Sequence, residues 1–274
     1  MSARGTRFTL PVRIIETEDG GRFMAKIIAI HSFRGGTGKS NTTANLACLL
    51  AREGYRVGMV DTDIQSPGIH VLFDLETKDI PYALNDYLWG KCDIARTAYD
   101  VTKTAGADAT GRLFLVPSSI RAGDIARVLH YGYDVTLLKE GYRQLIRQLP
   151  LDYLFIDTHP GLNEETLMSI ATADVLLIIL RPDQQDYQGT AVTVEVSRQL
   201  EVPEMYIVLN KVPGRVDREA LAAKAASAYD CAVVGVLPHD EDMLDLGSSG
   251  IFSLRYPDHV ISREMRRIVQ RLTA

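Results

Sequence analysis

The chain has 274 residues and a formal net charge of −5, from 30 basic and 35 acidic side chains. This length suits a single α/β domain, and the acidic balance gives no support to nucleic-acid binding by the chain as a whole. Three cysteines without C-x-x-C spacing argue against a disulfide framework and a zinc site, and with no membrane-length apolar stretch they predict a soluble, cytoplasmic protein.

The first 25 residues are predicted to be an N-terminal extension of a domain that spans residues 26–274. Residues 8–15 have a strand-like pattern, and Asp19, Gly20 and Gly21 form a turn signal. The extension is therefore expected to form an edge hairpin, to be flexible or to contact a partner.

A glycine-rich segment follows the apolar run at residues 27–30 and has the sequence H-S-F-R-G-G-T-G-K-S over residues 31–40. Gly35, Gly36 and Gly38 let the backbone turn with its N–H groups converging on an anion. The helix predicted at residues 40–53 adds the positive end of its dipole. The segment therefore predicts a phosphate cradle.

Two side chains at the end of this cradle point to a nucleoside triphosphate. Lys39 would hold the β- and γ-phosphates, and the Ser40 hydroxyl would ligate Mg²⁺. Phe33 stands where the strict pattern G-x-x-x-x-G-K-[ST] has its first glycine. A glycine-rich turn with an incidental Lys-Ser pair is therefore the alternative.

Carboxylates end two further predicted strands. Residues 55–60 lead into Asp61, Thr62 and Asp63, and residues 153–156 lead into Asp157. In an open α/β sheet the carboxyl ends of the strands form the edge where ligands bind. An aspartate that ends a hydrophobic strand beside a phosphate loop is a typical Mg²⁺ partner.

Buried-type segments alternate with helical stretches along the rest of the chain. The predicted strands are residues 27–30, 57–60, 113–116, 154–156, 175–180, 206–209 and 233–236. Their Val, Ile and Leu content indicates parallel strands covered by helices on both faces. The predicted fold class is therefore α/β, a doubly wound, mainly parallel sheet in three α/β/α layers with right-handed crossovers.

Several polar segments are predicted to have structural roles or to form surface loops. Residues 102–110 are small and polar and predict a surface loop. Asn163, followed by two acidic residues, predicts a helix N-cap. His159 is expected to form hydrogen bonds within its loop, and residues 183–188 are expected to form either a solvated loop or a ligand-facing segment.

The C-terminal segment predicts an amphipathic helix. Ile261, Met265, Ile268 and Leu272 follow one another at spacings of four, three and four residues and form one apolar stripe. The basic residues off this stripe are Arg263, Arg266, Arg267 and Arg271. The first expectation is a packed final helix with a solvated basic face, and the alternatives are a DNA-binding patch and, less favoured, a membrane-surface helix.

Taken in chain order, these motifs resemble the deviant Walker A ATPases of the MinD/ParA type, a SIMIBI-class branch of the P-loop NTPases. The family's phosphate loop has the pattern K-G-G-x-G-K-[ST], which Lys39 and Ser40 match, whereas Arg34 stands at the signature lysine. Asp63 corresponds to the second aspartate of switch I, and Asp157 to the Walker B aspartate. The resemblance implies a nucleotide site formed by Gly35, Gly36, Thr37, Gly38, Lys39, Ser40, Asn41, Asn210 and Pro238.

The resemblance also implies ATP and Mg²⁺ as cofactors and gives roles to the site residues. Lys39 would neutralise phosphate charge, Ser40, Asp63 and Asp157 would surround the metal, and Asp63 would position the attacking water. Arg34 would either supply charge across a closed homodimer or turn back onto its own chain.

The function implied is an ATP-dependent dimerisation switch, with slow and partner-stimulated hydrolysis, that positions or partitions a cellular cargo or division component. Its partners would be a second copy with ATP at the interface, an activating or cargo-adaptor protein, and nonspecific DNA or, less favoured, a membrane surface. The ATP-bound state would then associate with the nucleoid or the membrane.

Three other classes compete with this interpretation. A catalytically weak ATP-binding scaffold or regulatory subunit is the main alternative. An iron–sulfur reductase subunit would need two cysteines per subunit at its interface, where Cys92 is the one we consider available. A tyrosine autokinase would carry a tyrosine cluster near its C-terminus, where this chain has Tyr256.

Overall fold

A computed structural model describes residues 15–16, 22–23, 25–106 and 108–274. The strands in this part of the chain are β1 (Ile15–Glu16), β2 (Arg22–Phe23), β3 (Lys26–His31), β4 (Arg56–Asp61), β5 (Tyr99–Asp100), β6 (Arg112–Val116), β7 (Tyr153–Asp157), β8 (Val175–Leu180), β9 (Glu204–Val212) and β10 (Ala232–Pro238). The α-helices are α1 (Lys39–Arg52), α2 (Leu84–Leu88), α3 (Ala122–Tyr131), α4 (Thr136–Gln148), α5 (Glu164–Thr172), α6 (Gln184–Gln199), α7 (Arg218–Tyr229), α8 (Glu241–Leu246), α9 (Phe252–Arg255) and α10 (Val260–Thr273).

The large sheet has eight strands in the order β10-β9-β8-β3-β7-β4-β6-β5. All neighbours pair in parallel except β5, which runs antiparallel to β6 at the edge. The predicted parallel α/β sheet is therefore confirmed. The edge strand β5 has only two residues, too few for a periodic signal in the sequence.

Strand β3 lies at the centre of this sheet, between β7 and β8. Its carboxyl end therefore opens beside the carboxyl ends of both neighbours, and β4 follows directly after β7. This order brings the glycine-rich segment after β3 next to the aspartates that end β4 and β7, as expected for an open sheet.

Hydrophobic side chains fill both faces of the sheet and form two core clusters. Every residue of β8 is buried, as expected for a central strand covered on both sides. Helix α10 packs on α1 and β10, and its predicted apolar stripe is almost fully buried. The approach is close, since a Cβ atom at Gly235 would lie 2.6 Å from Ile268 Cδ1. The final helix is therefore a packed element of the core.

Two segments differ from their sequence-based interpretation. Thr102–Ala105 forms a 3₁₀ helix instead of a loop, and Ala105 is buried against α1 and β6. The prediction missed it because one buried alanine among polar residues produces no periodic pattern. Residues 184–188 begin helix α6, because the Asp183 carboxylate accepts from the backbone N–H groups of Gln185 and Asp186 as an N-cap.

The described part of the N-terminal extension consists of β1 and β2. They pair antiparallel, with Ile15 opposite Phe23 and Glu16 opposite Arg22. The strand pattern over residues 8–14 and the predicted turn lie outside the described residues, so the extension stays a prediction. Among the described helices, none is long and apolar enough to span a bilayer.

Candidate functional site

The glycine-rich segment forms a tight loop from the end of β3 to the start of α1. Gly36 and Gly38 have positive φ angles of 74° and 99°, which an L side chain rarely adopts. Gly38 is also the N-cap of α1, so the 14-residue helix begins at Lys39 and directs the positive end of its dipole into the loop. The Thr37 hydroxyl oxygen is buried without a hydrogen-bond partner among the described residues. The loop therefore has the form of an anion cradle.

The structure explains how the loop tolerates Phe33 in place of a glycine. The Phe33 ring lies against Gly189 of α6, and a Cβ atom at that glycine would overlap the ring. Because Gly189 has no side chain, α6 supplies the space that the loop itself lacks. The absence of a side chain at Gly189 therefore makes room for Phe33, although the two residues are far apart in the sequence.

Lys39 is the buried cation of the site. Its side chain is largely enclosed, and Nζ donates to Ser32 Oγ at 3.2 Å. Burial lowers the pKa of Lys39, although Asp157, Asp63 and Asp61 oppose that shift in this order. The ammonium group therefore lies in a field of carboxylates and can neutralise further negative charge in the cradle.

The Asp157 carboxylate lies at the end of β7 beside the start of α1. Thr43 Oγ1 donates to Asp157 Oδ1 at 3.4 Å, and the Ser40 hydroxyl lies near this carboxylate. Burial raises the pKa of Asp157 to about 6, even though the Ser40 hydroxyl and the charge of Lys39 oppose the shift. A buried carboxylate next to a hydroxyl oxygen provides the hard oxygen ligands that Mg²⁺ prefers, so Ser40 and Asp157 fit a Mg²⁺ ion.

Asp61 lies directly opposite Asp157 across the β4–β7 pair. Its carboxylate accepts from the N–H groups of Asp63 at 3.0 Å and of Gly68 at 3.3 Å. Burial raises the pKa of Asp61, and the neighbouring Asp157 raises it further. The segment after β4 is thus organised around Asp61, a role that the resemblance did not assign although the residue stood in the motif.

Asp63 extends beyond the strand end toward the loop after β7. Its Oδ1 accepts from Ser66 N at 3.0 Å and lies 3.7 Å from His159 Nε2. Burial raises the pKa of Asp63, whereas His159 and Lys39 lower it. The His159 Nδ1 atom forms a 2.6 Å hydrogen bond with the Pro160 carbonyl, so the predicted loop hydrogen bond is confirmed.

Arg34 does not point into the cradle. Its Nη1 atom lies 3.6 Å from Asp183 Oδ1 and 3.7 Å from Asp186 Oδ1 at the start of α6. Arg181 pairs with the same two carboxylates, at 3.3 Å and 3.1 Å. Two cations and two anions thus form a balanced cluster, and the Arg34 side chain remains 41% exposed.

The side of the loop opposite α6 contacts the end of β9. Asn210 Nδ2 donates to the Thr37 carbonyl at 2.7 Å, and Lys211 Nζ donates to the Gly36 carbonyl at 2.8 Å. Gly38 has to be glycine here, because a Cβ atom would overlap the Asn210 amide. Asn210 was predicted from the resemblance, whereas the contact of Lys211 was not.

A cavity of about 310 Å³ opens next to this contact. Its lining includes Asn41, Asn210, Pro238, Met243 and Leu244, and it is continuous with the glycines of the loop. A mixed apolar and amide lining of this size suits a planar heterocycle. The predicted base-site residues therefore surround one cavity beside the cradle.

Asp240, Asp242 and His259 lie close together behind this cavity, with ligand atoms within 4.8 Å of one another. His259 Nδ1 accepts from Ile261 N as the N-cap of α10, so a neutral ring carries its proton on Nε2. The Nε2 atom lies 3.4 Å from Asp240 Oδ2. The group therefore places the His259 ring between the cavity wall and the start of α10, and the nitrogen that faces the carboxylates has no free lone pair for a metal.

His31 is a second feature that the sequence-based interpretation left without a role. It is fully buried at the end of β3, and its Nδ1 lies 2.8 Å from Thr158 Oγ1. Thr158 Oγ1 in turn donates to the Ile30 carbonyl at 3.0 Å, so the His31 ring is the donor of the first bond. Burial lowers the pKa of His31 to about 3, and the nearby charge of Lys39 lowers it as well. The ring therefore stays neutral and ties the loop to the segment after β7.

The arginines of α10 lie on its outer face. Arg263 and Arg266 donate to the Asp258 and Pro257 carbonyls, and Arg267 pairs with Glu264. The Arg271 guanidinium lies 5.3 Å from the centre of the Tyr206 ring. These contacts are those of a packed surface helix, and they leave a basic outer surface.

Comparison with known proteins finds relatives that match most of this chain. The model of the AAA domain family matches residues 25–203. An uncharacterized ATP-binding protein of Methanocaldococcus jannaschii is 28% identical over 91% of this chain and 88% of its own length. The septum site-determining protein MinD of Helicobacter pylori is 26% identical over 91% of each chain. An iron–sulfur cluster carrier protein of Methanocaldococcus jannaschii is 28% identical over 91% of this chain and 85% of its own length.

Among solved structures, the septum site-determining protein MinD of Pyrococcus horikoshii, complexed with Mg-ADP, has a TM-score of 0.77 at 21% identity. The match covers 91% of this chain and 96% of that one. The likeness shows a shared fold. With the cradle, the strand-end aspartates and the family match together, the chain belongs to the AAA domain family and to the MinD/ParA type of the P-loop ATPase family.

Proposed function

We propose that the protein is a Mg²⁺-dependent ATPase that works as an ATP-dependent dimerisation switch and positions or partitions a cellular cargo or division component. One observation carries the proposal. Lys39, Ser40, Asp63 and Asp157 come from three separate segments and meet at the carboxyl edge of one sheet. Phosphoryl transfer needs such an arrangement, because the protein contributes mainly positioning and charge stabilisation.

The nucleotide would lie along the edge of the sheet from the cavity to the carboxylates. The base would enter the cavity beside Asn210 and Pro238, and the triphosphate would occupy the loop at the start of α1. Lys39 would meet the β- and γ-phosphates, since it is the buried cation among the carboxylates. Ser40 and Asp157 would hold Mg²⁺, which neutralises phosphate charge when bound.

In the hydrolytic step, Asp63 would orient a water molecule in line with the bond between the γ-phosphorus and the β,γ-bridging oxygen. The water oxygen forms a bond to the γ-phosphorus, the bond to the bridging oxygen breaks, and ADP leaves with that electron pair. Asp63 is suited to this role because the Ser66 N–H donates to its Oδ1 atom at 3.0 Å and so fixes the carboxylate. Lys39 and the backbone N–H groups of the loop would stabilise the charge on the transferring group.

Dimerisation would add the charge that a single chain lacks at the γ-phosphate. Arg34 lies one residue outside the cradle and is 41% exposed, so it can reach a second copy that approaches this edge. In the single chain the Arg34 guanidinium pairs with Asp183 and Asp186. ATP bound to the partner would compete with these carboxylates for the guanidinium. An arginine supplied in trans can stabilise the transition state strongly.

The role in positioning is proposed from the MinD relatives and from the cysteines. An iron–sulfur carrier needs accessible thiols, yet Cys48 and Cys231 are buried, which leaves Cys92 as the partly exposed one. The switch would act with an activating or cargo-adaptor protein. Its surface ligand would be DNA, contacted by the outer arginines of α10, with a membrane surface as the less favoured alternative.

A second candidate function is a catalytically weak ATP-binding scaffold. The observation that favours it is the neutral cluster of Arg34 and Arg181 with Asp183 and Asp186, which holds the catalytic cation away from the cradle in the single chain.

The deciding experiment compares Asp63→Ala with the wild type and with Asp93→Ala, an exposed carboxylate away from the site. We expect Asp63→Ala to bind ATP with unchanged affinity by calorimetry, to hydrolyse it on the order of a hundredfold more slowly, and to accumulate dimers. Asp93→Ala should match the wild type. Wild-type turnover in Asp63→Ala would remove Asp63 from the mechanism, and no turnover in the wild type with any effector would favour the scaffold.

The surface ligand is tested by replacing Arg263, Arg266, Arg267 and Arg271 with Glu. We expect ATP-dependent DNA binding, measured by fluorescence anisotropy, to weaken while ATP binding is retained. Wild-type DNA binding should fall steeply with salt if phosphate contacts dominate. Binding of the wild type to anionic vesicles but not to DNA would support the membrane instead.

A further inference from the structure

The end of β9 holds three consecutive residues of the phosphate loop from outside the cradle. Lys211 Nζ donates to the Gly36 carbonyl at 2.8 Å, and Asn210 Nδ2 donates to the Thr37 carbonyl at 2.7 Å. The Asn210 amide also lies directly against the Cα of Gly38. Two neighbouring side chains therefore bind two neighbouring carbonyls of the loop.

These contacts determine where the loop's N–H groups point. In a trans peptide the carbonyl of one residue and the N–H of the next lie in one plane and point in opposite directions. A hydrogen bond that holds the Gly36 carbonyl outward therefore directs the Thr37 N–H inward, and one on the Thr37 carbonyl directs the Gly38 N–H inward. Inward N–H groups are what a phosphate cradle requires.

We propose that Lys211 is a positioning residue for phosphate binding, which acts by holding the Gly36–Thr37 peptide in its anion-binding orientation. The proposal rests on the nucleotide site proposed above and adds a residue to it. Lys211 acts through the backbone, so its contribution is independent of which base occupies the cavity.

The backbone of Lys211 supports this role, because it adopts a conformation that lysine rarely does. Its φ angle is +56°, in the left-handed region. The conformation is held by the bond from Lys211 N to Asn210 Oδ1 at 2.8 Å and by Val212, whose carbonyl accepts from His239 N at 2.8 Å. Strain of this kind at the edge of a ligand site persists only where the surrounding structure enforces it.

Lys211 also lines the base cavity, which offers a competing role. If its amine served only to contact the base, its loss would weaken ATP binding and leave the binding of a ligand without a base unaffected. If it positions the loop, its loss would weaken both ligands by a similar factor. Inorganic tripolyphosphate contains the phosphate chain without base or ribose and separates the two roles.

The test compares Lys211→Met, which keeps the stem and removes the amine, with the wild type. Affinity for ATP is measured by calorimetry in Mg²⁺, and affinity for tripolyphosphate by displacement of a fluorescent ATP analogue. We expect both to weaken about tenfold, the loss typical of one charge-assisted hydrogen bond. Lys211→Arg should recover part of this loss, because a guanidinium can also donate to the carbonyl. Lys224→Met, at an exposed position of α7, is the control for removing one lysine charge.

Two outcomes would overturn the proposal: unchanged affinity for both ligands in Lys211→Met, or a loss confined to ATP. The thermal unfolding midpoint identifies a variant that fails to fold, and in that case Lys211→Asn, which tolerates the left-handed backbone, provides the same test. Failure of the switch mechanism is distinguishable, since Asp63→Ala and dimer formation are measured separately from the binding of tripolyphosphate.

Discussion

The two flanks of the phosphate loop are held by different chemistry. On the α6 side, Arg34 pairs with Asp183 and Asp186 at 3.6 Å and 3.7 Å and is half-exposed. On the β9 side, Asn210 and Lys211 bind backbone carbonyls at 2.7 Å and 2.8 Å. The first flank is an electrostatic contact between side chains, and the second is a pair of short bonds to the main chain.

This difference separates a part of the loop that can change partners from a part that cannot. The pair of Arg34 with Asp183 is exposed and is worth little, and the buried Asp186 keeps its hydrogen bonds from Arg181 if Arg34 moves to another anion. Bonds that hold backbone carbonyls fix the cradle itself, since their loss would let peptide planes rotate. The chemistry of the two flanks therefore matches the proposed roles, in which Arg34 moves toward a partner's nucleotide and residues 36–38 stay in place.

The largest effect on ATP binding is expected at Lys39, at the end of the loop that both flanks hold. Lys39→Ala removes the buried cation from among three carboxylates and leaves their negative charge facing the phosphates. We expect ATP affinity to fall by at least about a hundredfold, as charged hydrogen bonds are the strong ones. Calorimetry measures this, with the exposed Lys224→Ala as control. Unchanged ATP affinity would refute the assignment of the cradle.

Replacement of Arg34 tests whether the α6 side of the loop can change partners. We expect Arg34→Ala to bind ATP within a few-fold of the wild type and to sediment as a monomer, because the dimer loses a cation at the partner's γ-phosphate. Arg34→Lys should keep partial activity, since a point charge replaces a planar fork. Analytical ultracentrifugation with and without ATP separates the species. A normal ATP-dependent dimer of Arg34→Ala would leave Arg34 as a structural residue.

Asp183→Asn is a second test of the α6 side of the loop. It removes one carboxylate charge and keeps an N-cap acceptor for α6. Arg34 is then held less firmly in its own chain, so we expect a modest shift toward dimer at a given ATP concentration. A shift toward monomer would show that the cluster supports the dimer instead.

His31 tests a third anchor, between the start of the loop and Thr158. Its folded-state pKa of about 3 lies below the usual 6.5, so the unfolded state binds more protons between these values. The contribution of His31 to the free energy of unfolding is therefore fully present above pH 6.5 and is lost as the pH falls. The loss between pH 7 and pH 5 is about 2 kcal/mol. His31→Asn keeps a donor toward Thr158 and should flatten the acid side of a plot of unfolding free energy against pH. An unchanged slope would contradict the buried neutral imidazole.

The smallest effect is expected at Gly189. Gly189→Ala places a methyl group where the Phe33 ring lies, but that ring is partly exposed and can swing outward. We expect a cost of about 1 kcal/mol in stability and a few-fold change in dimer formation, because Arg34 follows Phe33. Gln188→Ala, on the exposed side of the same helix turn, is the control. A core-sized loss of stability would show that Phe33 is a rigid part of the fold.

Some parts of the site could be predicted from local sequence and others could not. The cradle, Lys39, Ser40, Asp63 and Asp157 lie in short contiguous motifs at the ends of apolar strands, so strand pattern and glycine spacing were enough to predict them. Their roles in binding and catalysis stay predictions. The helical start of α6 could not be predicted in this way, because its apolar residues begin late and its N-cap Asp183 is identified by the hydrogen bonds that it accepts in the folded chain.

The sequence by itself determined the parallel sheet, the position of the loop between a strand and a helix, and the apolar stripe of α10. These features follow from periodicity and spacing within about 20 residues, where backbone geometry decides which side chains share a face. Only the tertiary structure decided that Gly189 makes room for Phe33, that Asp183 and Asp186 hold Arg34, and that Lys211 binds the Gly36 carbonyl. Each of these contacts joins segments that are remote in the chain and meet only because β8 and β9 succeed β3 in the sheet, and such neighbours leave no local pattern in the sequence.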